Sequence, residues 1–231
     1  MKNRNNSSSF QPNIETFQNQ LLEWGKFNIR NYPWRYIDDP YLVLVAEFML
    51  HRTQVLQVEP IYYRFVESFP TISKFVTTDI DIVKKILYPL GLNWRIKSLI
   101  DALYNFWSKY DCVPKDYSKL ISISGIGPYI AGATVCFSQN KSMVLVDTNT
   151  VRVIGRLCGM DIRGEARRKK NIYLAIKNVS VNCDPRDFYY SIIDLAHTIC
   201  VPKKPLCDNC PLSTVPCKLK LLYQNNNTNN Y

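Results

Sequence analysis

The sequence predicts an all-helical fold, and three observations predict it. Apolar residues recur at helical spacing along almost the whole chain. No stretch keeps up the apolar–polar alternation of a half-buried strand, and no internal repeat is present. Two aspartate–proline pairs, Asp39-Pro40 and Asp184-Pro185, set an N-cap directly before a residue suited to a first helical turn. At 231 residues the chain can bury a substantial core, as one domain or as two small ones sharing a cleft. Its 46% hydrophobic and 21% charged residues suit an ordinary soluble globule.

Taken in order, Ile14, Phe17, Leu21, Leu22 and Trp24 space out as one amphipathic helix. The loop NYPWRYIDDPY follows, and Asp39-Pro40 opens a helix through YLVLVAEFML. Further helices are expected from about Gln54 to Glu67, about Ile72 to Phe75, Asp79 to Tyr88 and Trp94 to Tyr110, joined by short connections. The segment GEARRKK is read as the start of a helix running through Ile172 and Ile176, and Asp184-Pro185 starts DFYYSIIDLAHTIC. Residues 1–11 and the asparagine-rich C-terminal tail are too poor in apolar residues to repay ordering.

The densest stretch runs from Leu120 to Gly159. Ile121, Ile123 and Ile126 close an apolar segment, Gly125-Ile126-Gly127 can turn tightly, and Pro128 suits the start of a new helix. Such a turn aims unpaired backbone N–H groups of the second helix outward, where a phosphate fits. A plain helix hairpin would look similar. Beyond it, Val144 to Val146 lead to Asp147, which heads a helical pattern through Val151, Ile154, Leu157 and Cys158. Asp147 can serve there simply as an N-cap.

Near the C-terminus Cys200, Cys207, Cys210 and Cys217 form C-x6-C-x2-C-x6-C, with Pro202, Pro205, Pro211 and Pro216 stiffening the loop. Four clustered thiols suit a metal site, and the spacing alone fits zinc as well as an iron–sulfur cluster. Cys112, Cys136, Cys158 and Cys183 sit among apolar neighbours and read as buried thiols of a reducing compartment. Twenty-nine basic against nineteen acidic residues give a net charge of +10, which favours a polyanionic partner, nucleic acid being the commonest. No run reaches the length of a membrane span, and MKNRNNSSSF lacks the apolar core of a signal peptide, so a cytoplasmic, nucleoid-associated protein is expected.

LISISGIGPYIAGA followed by VDTNTVRVIGRL resembles the helix-hairpin-helix and catalytic-aspartate segments of the endonuclease III and MutY superfamily of DNA glycosylases. The likeness covers nearly all of residues 30–217 and points most closely to the Mig-type thymine-DNA glycosylases, because Tyr129 stands where bifunctional members carry a lysine. It implies a two-lobed all-α fold. Residues 12–36 and 148–217 would form a cluster lobe and 37–147 a central bundle ending in the hairpin, with polar tails at 1–11 and 218–231. It also implies a [4Fe–4S] cluster on Cys200, Cys207, Cys210 and Cys217, although the last interval is one residue longer than is usual in the family. Lys203 and Lys204, between the first two ligands, could meet phosphates.

The resemblance further implies a monomer acting on mismatched double-stranded DNA. Gly125, Ile126, Gly127 and Tyr129 would lie at the phosphate grip, His51 and Arg52 at the wedge and opposite-base positions, and Asn149 among the DNA-facing residues. Asp147 would stabilise the sugar as positive charge builds on it, and Glu47, in AEFMLHRTQV, would reach the departing base. Without a lysine at 129 no Schiff base can form, so a monofunctional enzyme excising thymine or uracil opposite guanine is expected. The absence of the further C-terminal domain that MutY enzymes use favours thymine in the same way. A MutY-like adenine glycosylase, to which Thr53-Gln54-Val55 is similar, and a non-catalytic DNA-binding module are the alternatives.

Overall fold

The computed structural model describes residues 13–91 and 93–221. Every regular element among them is helical. The tails read above as unstructured lie outside these residues, apart from the first residues after Cys217, where Leu221 N–H donates to the Cys217 carbonyl (3.1 Å) and closes one helical turn.

The chain divides into two compact units, Arg30–Leu145 and Met1–Ile29 with Val146–Tyr231. The first holds α2 (Pro40–Leu50), α3 (Val55–Ser68), α4 (Ile72–Val76), α5 (Ile80–Leu87), α6 (Asn93–Tyr110), α7 (Tyr117–Ile121) and α8 (Pro128–Gln139). The second holds α1 (Ile14–Asn28), α9 (Thr148–Cys158), α10 (Lys170–Val179) and α11 (Pro185–Thr198).

Side-chain caps set most helix starts. Asn13, Asp39, Thr71, Asp79, Asp116, Asp147 and Asp184 each accept from a backbone N–H in the first turn of the helix that follows. Each cap is worth about 1 kcal/mol. The segment GEARRKK departs from its expected helix. Gly164 takes φ +61°, Ala166–Arg168 form only a 3-10 turn, and α10 begins at Lys170.

In the unit Arg30–Leu145, α2 is apolar nearly all round and packs against α8, α3 and α6. Phe65, Phe69 and Phe75 stack edgewise or tilted, 5.0 to 5.9 Å apart, and are fully buried. Each contributes roughly 1.5–3 kcal/mol of burial. The Tyr41 and Tyr62 hydroxyls donate to the Phe69 and Leu42 carbonyls, and burial pushes both phenols far above their ordinary range, so they remain neutral donors. Small residues Ala131, Gly132 and Ala133 let α8 lie close to its neighbours, and its buried hydroxyls, Thr134 and Ser138, donate to carbonyls four residues back.

In the other unit α11 packs on α1 and α9, and α10 packs on α9. Phe17 meets Phe188 edge-on at 6.2 Å, and the Gln18 amide donates to the Val179 and Val181 carbonyls at 3.0 and 2.7 Å. All eight cysteines are free thiols. Cys136 is buried and Cys158 and Cys183 are half-buried, but Cys112 is exposed, against the expectation of four buried thiols. It follows Asp111, whose φ of +54° turns the chain out at the end of α6.

Candidate active-site residues

The hairpin is tighter than the sequence suggests. Its first helix, α7, stops at Ile121, and Ile123 and Ile126 lie in the turn itself, where both are buried and anchor it. Ile126 N–H donates to the Ile123 carbonyl (3.1 Å), and Gly125 adopts φ +87°, a conformation that leaves a Cβ strained. Gly127 is the N-cap of α8 and offers no side chain to it, so the amides of the first turn face outward behind Pro128. That is an anion site in form. Tyr129, in this first turn, is half-buried.

Glu47 sits on α2, which packs against α8. It is buried, at 8% exposure, so the simplest expectation for a carboxylate on an apolar helix, that it faces water, does not hold. His51 and Arg52 follow at the end of α2 and are exposed, Arg52 with φ +64°.

In the other unit Asp147 caps α9. Its Oδ1 accepts from Thr150 N–H (2.7 Å), Thr150 Oγ1 accepts in return from Asp147 N–H (2.9 Å), and Asp147 Oδ2 accepts from the Asn149 side-chain amide (2.7 Å). The carboxylate is half-buried and held at both oxygens. Each oxygen keeps a further lone pair, so capping leaves it able to face a ligand.

Two arginines that sequence reasoning passed over tie this helix to the cysteine loop. Arg152 donates to Asn149 Oδ1 (3.1 Å), the Cys200 carbonyl (2.8 Å) and the Ala196 carbonyl (2.8 Å). Arg156 donates to the carbonyls of Val201 and Pro202, both at 2.7 Å, and to Cys200 Sγ at 3.4 Å. Burial pulls the Arg152 guanidinium below its ordinary value. Their spacing of four residues, one turn apart on one face, was the available signal.

Cys200, Cys207, Cys210 and Cys217 line one cavity, whose remaining wall is largely apolar, including Val153, Leu157 and Leu212. Burial, reinforced by the neighbouring cysteines, pushes the Cys210 thiol up, and Cys207 shifts the same way for the same reasons. Among the described residues no three His, Cys, Asp or Glu side chains meet closely enough to hold a single metal ion. The donor set, four thiols facing one cavity, nevertheless fits a thiolate-bound group.

The sequence profile of the HhH-GPD superfamily base excision DNA repair proteins matches residues 45–176, more than half of the chain. The chain belongs to this superfamily. The expectation of an enzyme of DNA base-excision repair is met, and with it the all-helical fold of such glycosylases. The thymine-DNA glycosylase of Aeropyrum pernix is 29% identical, covering 92% of this chain and 96% of its own. The adenine DNA glycosylase of Mycolicibacterium smegmatis is 32% identical over 84% of this chain and 67% of its own. The solved structure of a thermostable thymine-DNA glycosylase superposes with a TM-score of 0.82 at 27% identity, covering 90% of this chain and 97% of that one. Among the described residues, no helix of this superfamily member is long and apolar enough to cross a membrane.

Proposed function

We propose that this protein removes thymine or uracil from T/G and U/G mispairs in double-stranded DNA, extruding the base and hydrolysing its N-glycosidic bond to leave an abasic site. The reading rests on Asp147, a half-buried carboxylate fixed at both oxygens by Thr150 and Asn149. As the glycosidic bond breaks the sugar gains positive charge, and a pre-oriented carboxylate lowers the energy of that state without reorganising. The same group can orient or deprotonate the attacking water. Asn149 then has two tasks, holding Asp147 and facing DNA.

Extruding a mispaired nucleotide costs a few kcal/mol, which contacts to phosphates offset. Gly125, Ile126 and Gly127 would supply them through backbone amides, aided by the net charge of +10. Exposed Arg52 suits the O6/N7 edge of the guanine left behind, and His51 the wedge position. Glu47, buried on α2, would serve the departing base as acid or hydrogen-bond partner. Tyr129 would line the pocket, and because a phenol forms no Schiff base the enzyme would be monofunctional.

Cys200, Cys207, Cys210 and Cys217 would hold a [4Fe–4S] cluster, since thiols spread around a cavity suit a group of several irons better than one zinc ion. When bound it would stiffen the loop that Arg152 and Arg156 already grasp. In this reading the unit with α1 and α9 to α11 is the cluster lobe, the unit with α2 to α8 grips DNA, and the protein acts as a monomer. Adenine excision from A/G mispairs is the second reading, favoured by the 32% identity to an adenine glycosylase.

The direct test of the chemistry is Asp147→Asn. Asparagine keeps the acceptor that caps Thr150 N–H and gives up only the one that holds Asn149, so the melting temperature should fall by no more than a few degrees. Single-turnover excision from a U/G duplex should fall by about 10²-fold or more while duplex binding is kept. Undiminished excision would refute the assignment.

A further inference from the structure

Arg95 is 2% exposed, buried as deeply as the aliphatic core around it. It lies in the first turn of α6 and spends its donors on neutral oxygens. One terminal nitrogen donates to the His51 carbonyl and to Thr53 Oγ1 (2.8 Å), and the other to the Leu90 carbonyl at 3.3 Å. Burying a guanidinium without a carboxylate is costly, so its contacts indicate what it is kept for.

They converge on the turn 51–53. That turn is weakly held by its own backbone. His51 N–H reaches the Phe48 carbonyl, and Thr53 N–H the Leu50 carbonyl, only at 3.4 Å each. Between them Arg52 takes φ +64°, an uncommon conformation for a residue with a Cβ. The exposed Trp94, next to Arg95, meets the His51 ring edge-on at 6.1 Å and braces the same turn from outside. The same guanidinium ties the backbone on either side of Arg52 to the 3-10 turn Tyr88–Leu90.

We infer that Arg95 is a positioning residue for opposite-base recognition: it fixes the left-handed turn that presents Arg52, and so sets selectivity for the base facing the excised one. The inference rests on the reading of Arg52 given under Proposed function, and it deepens that reading. A guanidinium that bonds the turn through one nitrogen and the Leu90 carbonyl through the other spans two places at once, which a lysine, whose ammonium is a single point, cannot do.

The test compares excision of uracil opposite guanine with uracil opposite cytosine, by single-turnover rates in the full-length protein. Both are mispairs, so extrusion is cheap in each and the ratio isolates recognition of the facing base. Arg52→Ala and Arg95→Met should each lower the ratio by about tenfold. The double variant should be no lower than Arg52→Ala alone, and Arg95→Lys should not restore the ratio. Should Arg95→Met fail to fold, Thr53→Val deletes one of its acceptors on the partly exposed turn and should lower the ratio several-fold. A ratio unchanged in Arg95→Met or in Thr53→Val, with Arg52→Ala lowering it, overturns the role of Arg95 alone. A ratio unchanged in Arg52→Ala removes the underlying reading of Arg52, and the inference falls with it.

Discussion

On the proposed function Asp147 would carry two duties, capping and catalysis, which separate on substitution. As a cap it joins a reciprocal pair with Thr150, so Asp147→Ala should cost about 1 kcal/mol in a denaturant melt, whereas Asp147→Asn, which keeps the cap and loses only the Asn149 contact, should cost less. Loss of excision in both, with the larger loss of stability in Asp147→Ala, would separate charge from capping. Tyr129 makes the complementary case. Tyr129→Lys puts an amine in the first turn of α8, where it could attack the sugar carbon. Strand breaks should then form without alkali, whereas the unaltered protein should give them only after it. The helical pattern behind Asp147 marked it as an N-cap, and only the resemblance of VDTNTVRVIGRL to the family's catalytic-aspartate segment made it a candidate. Glu47 was legible through the resemblance of AEFMLHRTQV, but its burial was not, since burial depends on what packs around it.

Among the elements, α9 has Asp147 as its cap and carries two arginines bound to the cysteine loop further on. Its Gly155 is packed too tightly for a larger residue, because a Cβ there would stand 2.1 Å from the Ile162 Cγ2. Gly155→Ala should therefore destabilise the protein by about 1–3 kcal/mol, visible as a lower melting temperature. Cys207→Ser should lower bound iron and sulfide, which in the unaltered protein should analyse as about four irons per chain. Helix starts were readable because caps and prolines are local signals, as at Asp39 and Asp184. The false helix start in GEARRKK and the early end of α7 were not, because charged residues suit helix and turn alike and because Ile123 and Ile126 are buried by tertiary contacts. Arg95, Arg152 and Arg156 escaped for the same reason: an arginine in sequence shows charge, but not which distant carbonyl it will hold.

At the scale of the whole chain, the net charge of +10 predicts duplex affinity that falls linearly with salt on a log–log plot. The slope should be nearly the same for matched and mismatched DNA, since phosphate contacts position the protein and do not read the base. Which base the protein releases can be read from the products of three mispairs. The protein is incubated with T/G, U/G and A/G duplexes of one sequence, and the freed base and alkali-labile strand are quantified. Free thymine and uracil, with breaks after alkali, and an intact A/G duplex are the expected outcome. Release of adenine from A/G with thymine and uracil retained would contradict it.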